Sequence, residues 1–372
     1  MTSRFGVTSL LRRPGLAWPV FGLAAGAALY CLAWIATAVV LNSQIESWIA
    51  RQRGGGATVV HGDPLIGGFP ARVVITLPGW DMSRPVTSGD WTWRTTSLRA
   101  WSRPWRPLTF SIDLAGRHTL AGVWTPPGVA AWLTFGRADV TPTLLADGQI
   151  RAIDIDIADG AVADGAPADA ADAPPIWTLA AARVTATPTT TELPDPEPAW
   201  RLGAEISSLR FADGLALGPF QPELRRMALE ARLIGPIAPG PMTQSLDAWR
   251  RGGGTLDLRQ FSLDWPPLGM SGSATLALDD RLQPVGAGSI KFKGFFDTVD
   301  RLADDGTVRP FTATMARIVL GLMARESADG SGPELNVSIS VQDGKLHAGP
   351  LTLMDVPPID WTVVDTRAID LR

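Results

Sequence analysis

The sequence predicts a mainly β protein: a long, curved or partly closed antiparallel sheet with a few capping helices, preceded by one N-terminal transmembrane helix. Three observations carry this. Short segments of alternating apolar and polar residues recur along most of the chain, the mark of strands with one buried face. The 38 Gly and 31 Pro punctuate those segments, which suits strands and turns better than a helical bundle. No charged residue occurs between Arg13 and Glu46, and the run over 18–41 is almost wholly apolar.

A helix rises about 1.5 Å per residue, so the 18–41 run is long enough to cross a hydrocarbon core of about 30 Å. Arg4, Arg12 and Arg13 precede it, and the positive-inside tendency places residues 1–17 in the cytoplasm. Residues 42–372 then form a β-rich periplasmic region, with halves at 57–241 and 252–372. The competing reading is a cleaved signal peptide, since Ala36-Thr37-Ala38 resembles a processing site. Its apolar region exceeds the usual length of about 7–15 residues. Both readings export the rest of the chain.

Beyond the anchor a short helix is expected over 43–53, stopped by Gly54-Gly55-Gly56. Phe69, Ala71, Val73, Ile75 and Leu77 share one face of the first strand. Leu108 to Leu114, Ile153 to Ile157, Met227 to Leu233 and Leu335 to Val341 repeat the period of two. Leu256 and Leu258 are followed out of phase by Phe261, Leu263 and Trp265, which predicts a bulge near Arg259 and Gln260. After a Gln-Asp-Gly-Lys turn a last strand is expected over 346–353. Helices are predicted over 126–135, 243–251, 295–303 and 312–325, the last two covering one end of the sheet through Phe295, Phe296, Val299, Leu302, Ile318 and Leu322. The compositions of 159–175 and 187–198 predict loops.

Composition narrows the function classes. The net charge is −4 over 372 residues, and only Lys291, Lys293 and Lys345 of the 33 basic residues are lysine. That leaves no concentrated basic face of the kind a nucleic-acid binder needs. Cys31 is the single cysteine, which excludes an intramolecular disulfide and a thiolate metal cluster. His61, His118 and His347 are isolated in sequence and form no ligand pair. Gly269-Met270-Ser271-Gly272-Ser273 lacks the last glycine of a nucleophile elbow and lies between strands. Asp154, Asp156 and Asp159 do not have the spacing of a calcium loop. Gly286-Ala287-Gly288 before Lys291 fails as a phosphate loop. No acid, base or nucleophile set converges, so neither an enzyme nor a cofactor is expected.

The tryptophans offer the one candidate site. Trp91, Trp93, Trp101 and Trp105 are interleaved with Arg94, Arg99, Arg103 and Arg106. Such a set packs a strand edge with arginine stems over the rings, or it forms a lipid or membrane contact.

Gly67-Gly68-Phe69-Pro70-Ala71-Arg72, leading to Leu77-Pro78-Gly79, resembles the opening of domain-of-unknown-function family 2125 of alphaproteobacterial envelope proteins. Ala100-Trp101, Pro104-Trp105-Arg106-Pro107, Gly269-Met270-Ser271-Gly272, Asp343-Gly344-Lys345-Leu346 and Gly349-Pro350 follow in the family's order. The stretch 254–358 also looks like the terminal region of AsmA-like envelope proteins. The resemblance implies an inner-membrane-anchored protein whose curved sheet holds or conveys phospholipid or another envelope lipid, and it transfers no catalytic residue. The alternative is a structural or partner-binding envelope module whose core is filled by its own side chains.

Overall fold

The computed structural model describes residues 14–359 and 361, apart from 87–88, 123–129, 146–149, 165–173, 191–197, 216, 239–240, 328–329, 331 and 350. The basic tail up to residue 13 lies outside the described residues. The charge-free run and the polar stretch after it fold as one continuous helix, α1 (Pro14–Gly54). The separate helix expected over 43–53 is the last part of it. Ser43 could have capped a new helix, but its Oγ donates to the Val40 carbonyl oxygen at 2.8 Å, so the hydroxyl is satisfied within α1.

Eighteen strands follow in one sheet. The first nine are β1 (Thr58–Val60), β2 (Leu65–Gly67), β3 (Val73–Val86), β4 (Gly89–Arg103), β5 (Arg106–Asp113), β6 (Gly116–Ala121), β7 (Ala130–Leu144), β8 (Ile150–Asp164) and β9 (Trp177–Thr190). Then come β10 (Pro198–Phe211), β11 (Glu223–Ile234), helix α2 (Met242–Arg251), β12 (Thr255–Trp265), β13 (Leu268–Leu278) and β14 (Pro284–Lys293). Helices α3 (Phe295–Asp304) and α4 (Pro310–Met323) precede β15 (Arg325–Glu326), β16 (Pro333–Gln342), β17 (Lys345–Ala348) and β18 (Leu351–Asp355).

Every pairing is antiparallel, and the chain meanders from each rank to the next. β1 and β2 share one side of β3. β5 and β6 lie end to end between β4 and β7. β15 and β17 both pair with β16 on the side away from β14. The eighteen strands therefore make fifteen ranks, a contour of about 67 Å at the usual spacing of about 4.8 Å. β1 and β2 form one edge and β18 the other, and among the described residues no pairing joins the two. β11 pairs with β12 across α2, so the sheet is continuous between residues 57–241 and 252–372.

A crease crosses the first strands. Between β3 and β4, β7 and β8, β8 and β9, β9 and β10, and β10 and β11, each register skips one rung. The skipped residues form a line: Gly79, Thr96, Gly136, Asp159, Ala180, Ser208 and Arg225. Gly79 has φ 63°, and Asp159 and Ser208 carry φ of 53° and 49°. Each strand changes phase there, so that Trp80 follows Leu77, and Leu209 follows Ile206, onto the same face of the sheet. The bulge expected near Arg259 and Gln260 is present as a register shift between Leu258 and Phe261.

Several expected elements differ. Residues 130–135 are strand, held by β6 on one side and β8 on the other, while 126–129 lie outside the described residues. Residues 159–164 continue β8 in spite of their loop-like composition. Of the other expected loop, 187–190 belong to β9, and 191–197 lie outside the described residues. The segment 346–353 is a hairpin of β17 and β18. Phe69 and Ala71 belong to the turn before β3. Helix α2 is fixed by Trp249, which is buried and donates from Nε1 to the Ile234 carbonyl oxygen at 2.8 Å. Phe295 of α3 is buried as expected, but Ile318 and Leu322 of α4 are 52% and 83% exposed. α4 buries the line through Ala313 and leaves Phe311, Met315, Ile318, Val319 and Leu322 outward instead of covering the sheet.

Candidate functional site: an apolar face across the sheet

Residues directly opposite each other in an antiparallel ladder share a face. Starting at Ile75 in β3, the registers carry one row through Ala100, Ile112, Val140, Ile155, Val184, Ala204, Leu229, Phe261, Gly272 and Ile290 to Val337 in β16. Twelve strands are crossed without a polar side chain. The flanking row on the same side runs likewise through Ile157, Ala182, Ile206, Met227, Leu263, Met270, Phe292 and Leu335.

The neighbouring row belongs to the opposite face and is charged. Arg99, Asp113, Asp139, Asp156, Arg183 and Glu205 stand opposite one another across β4 to β10. Arg99 pairs with Asp113 at 3.5 Å and Arg183 with Asp156 at 3.6 Å. Asp139 lies between two carboxylates, and its pKa is raised, first by burial and then by Asp113, with a further rise from Asp156 opposed by Arg137. The sheet thus has an apolar side and a charged side along most of its contour. The aspartates at 154 and 156 belong to the charged side, as strand alternation predicts.

How well the apolar side is covered changes along the sheet. α1 packs over β1, β3, β4 and β5. Beneath it Val73, Ile75, Leu77, Trp80, Met82 and Leu98 form a fully buried core with Ala38, Leu41 and Ile49 of the helix. Farther along, the same face is only half-buried at Ile155, Ala204 and Leu229, and Val184 is 42% exposed. This is a continuous apolar face, covered at its first ranks by α1 and open beyond them.

A file of rings lines the covered end. Trp48 of α1 stacks on Trp80 at 6.1 Å, His61 stacks on the same ring at 6.1 Å, and Trp80 meets Trp93 edge-on at 5.6 Å. The file continues from Trp93 to His118 and on to Phe135 in β7. His118 is held as the neutral imidazole. Its Nε2 donates to the Leu114 carbonyl oxygen at 2.6 Å, and its Nδ1 accepts from Trp93 Nε1 at 3.3 Å. Burial lowers its pKa, against a smaller upward pull from the Leu114 bond.

The four candidate tryptophans do not form one patch. Trp91 and Trp93 lie on the apolar side and pack against the core under α1. Trp101 lies on the opposite side, with the Arg72 and Arg103 guanidiniums over its ring at 5.8 and 5.7 Å. Trp105 is in the turn joining β4 to β5 and is 59% exposed. Sequence reasoning missed Trp80 and Trp48. The signal for Trp80 was Gly79: a positive-φ glycine inside a strand marks a change of phase, which turns Trp80 inward. A cleft of about 450 Å³ lies apart from these rings, between the turns after β13 and β16, lined by Asp279, Asp280, Arg281 and Asp343.

Among the described residues one helix, Phe21–Gly54 within α1, is long and apolar enough to cross a membrane, its most apolar 18-residue stretch having a mean hydropathy of 2.0. Its docking begins at Tyr30, whose Oη donates to the Pro70 carbonyl oxygen, and continues at Trp34, whose Nε1 donates to the Arg72 carbonyl oxygen at 3.0 Å. From there Thr37, Ala38, Leu41 and Ile49 are buried, whereas Phe21, Leu23, Leu29 and Leu32 are well exposed. The expected span of 18–41 therefore overlaps the docked part; before Tyr30 the helix runs for 16 residues, about 24 Å.

An antiparallel meander behind an apolar helix defines the class: a mainly β protein with one candidate membrane helix and one apolar sheet face. The chain belongs to a bacterial domain-of-unknown-function family, number 2125, described as uncharacterized protein conserved in bacteria, whose model matches residues 34–357. No curated protein and no solved structure matches the chain.

Proposed function

We propose that this chain is a non-catalytic, single-pass protein of the bacterial inner membrane, with residues 1–13 cytoplasmic and the sheet on the periplasmic side. In this reading the sheet binds envelope lipid along its apolar face and conveys it away from the bilayer. The observation that carries it is the unbroken apolar row over twelve strands, which is left half-open beyond α1. A monomer seldom exposes apolar surface on this scale without a ligand for it. Burial is worth about 0.8 kcal/mol per methylene, so acyl chains can be held without polar chemistry. Trp91 and Trp93 stand where a chain would enter from beneath α1. The resemblance of 254–358 to the terminal region of AsmA-like envelope proteins points the same way.

Native mass spectrometry of the detergent-extracted full chain, with lipid analysis of what is released, tests the proposal. Co-purifying phospholipid or another acylated lipid is expected. Its reproducible absence would remove the carrier reading and leave a structural envelope module.

A further inference from the structure

The end of the sheet beside Trp34 carries a second arrangement. The turn before β3 is tied to α1: Tyr30 Oη donates to the Pro70 carbonyl oxygen, and Trp34 Nε1 donates to that of Arg72. Phe69 packs on both rings, at 6.5 Å from Tyr30 and 5.7 Å from Trp34. Register then places the β4–β5 turn at the same end, since Val73 pairs with Ser102 and Arg103 with Arg106. Phe69 and Trp105 are 58% and 59% exposed here. Arg72, Arg103 and Arg106 are exposed as well, and none has a carboxylate partner among the described residues. Two of these guanidiniums, of Arg72 and Arg103, lie over the Trp101 ring.

We infer that this end is a docking surface for the headgroup layer of the membrane, selective for anionic phospholipid. The inference rests on α1 spanning the bilayer. If the helix before Tyr30 crosses the hydrocarbon, then Tyr30, Trp34 and the turn bonded to both lie at the level of the phosphates. Exposed aromatic rings are favoured at that depth, and guanidiniums bind phosphate with paired donors. Exposed rings beside exposed guanidiniums fit a layer that is apolar below and anionic above. The occupant is lipid phosphate held in the membrane, because the rings need the apolar side of the boundary as much as the arginines need the charge.

The test uses the full chain in phosphatidylcholine vesicles containing spin-labelled phosphatidylglycerol or spin-labelled phosphatidylcholine, reading the immobilised fraction of each. The wild type is expected to retain phosphatidylglycerol preferentially. The preference is expected to fall about fivefold for each arginine removed, through R106Q alone and then R72Q/R103Q/R106Q. Because Arg106 stacks on no ring, R106Q separates loss of charge from disturbance of Trp101. Equal retention of the two lipids by the wild type, or a preference unchanged in the triple variant, would overturn the inference. So would loss of the preference in millimolar inorganic phosphate at constant ionic strength, which would assign the site to the free anion. Resistance of the wild type to alkaline extraction is measured alongside. Its failure would refute the spanning helix itself, whereas resistance without selectivity would refute only the headgroup surface.

Discussion

At the scale of single residues, His118 shows how the buried end of the apolar face depends on protonation. Its two ring nitrogens are committed in the neutral form, one donating to Leu114 and one accepting from Trp93. A proton on Nδ1 would turn that acceptor into a second donor facing an indole N–H. Burial lowers the folded-state pKa below the usual 6.5. The native state therefore binds fewer protons than the unfolded chain in the window just below pH 6.5. Stability from this residue is complete above that value and is lost as pH falls towards the lowered pKa. H118Q keeps a donor for Leu114 and cannot titrate. Its melting temperature in detergent should fall less between pH 7.5 and pH 5.5 than that of the wild type, and an identical fall would show that His118 does not set the acid limit.

At the scale of elements, the crease is the feature that composition hides. Ser208 and Asp159 adopt left-handed backbone that a side chain normally avoids, at a cost of about 1–2 kcal/mol. They do so because skipping the same rung in neighbouring strands keeps both halves of each strand apolar on one side. S208V places a branched side chain in that conformation and should destabilise the fold by about 1–2 kcal/mol, while S208G should be close to neutral. Thermal unfolding of both variants checks the difference. The same physics explains what the sequence could reveal. Leu335 to Val341 alternate cleanly, and their strand was readable, as was the bulge at Arg259 and Gln260, because a phase slip within one strand is visible in the residues themselves. The strand through Ala131, Trp132 and Leu133 was not, since alanine-rich apolar runs suit a helix locally, and only the ladders to β6 and β8 decide otherwise. Residues 159–164 read as loop because Asp and Gly are sparse in strands, and again only the ladders to β7 and β9 decide otherwise. Of the four tryptophans, sequence spacing suggested one cluster, but the phase change at Thr96 in β4 puts Trp93 and Trp101 on opposite faces, although strict alternation would give them one face. α4 deceived in the other direction: its apolar stripe was readable, but its outward orientation depends on α3 meeting the opposite line of residues.

At the scale of the molecule, the apolar face matters only if its open part takes a load. Val184 stands in the middle of the apolar row and is 42% exposed, so a carboxylate there can remain hydrated in the unloaded protein. V184D should therefore preserve the melting temperature of lipid-free protein to within about 1 kcal/mol of stability, as substitutions at open positions usually do. It should also reduce the lipid recovered with the purified chain severalfold, since the charge cannot follow an acyl chain into an apolar contact. Recovery of wild-type amounts of lipid with V184D would place any bound lipid elsewhere, and a large loss of stability would show that the apolar face is covered at that point.

The absence of a joint in α1 has a mechanical consequence. Pro14 to Gly54 run as one helix, and its last turns are bolted to β1 and β3 through Ile49, Trp48 and the Arg53 bond to Val59. Free and docked segments must turn together, as the two arms of a lever. Membrane helices commonly tilt by about 20°, and a tilt of that size would swing the far edge of a sheet with a 67 Å contour through as much as about 20 Å. Bilayer thickness, by setting the tilt, would thereby steer where β18 points.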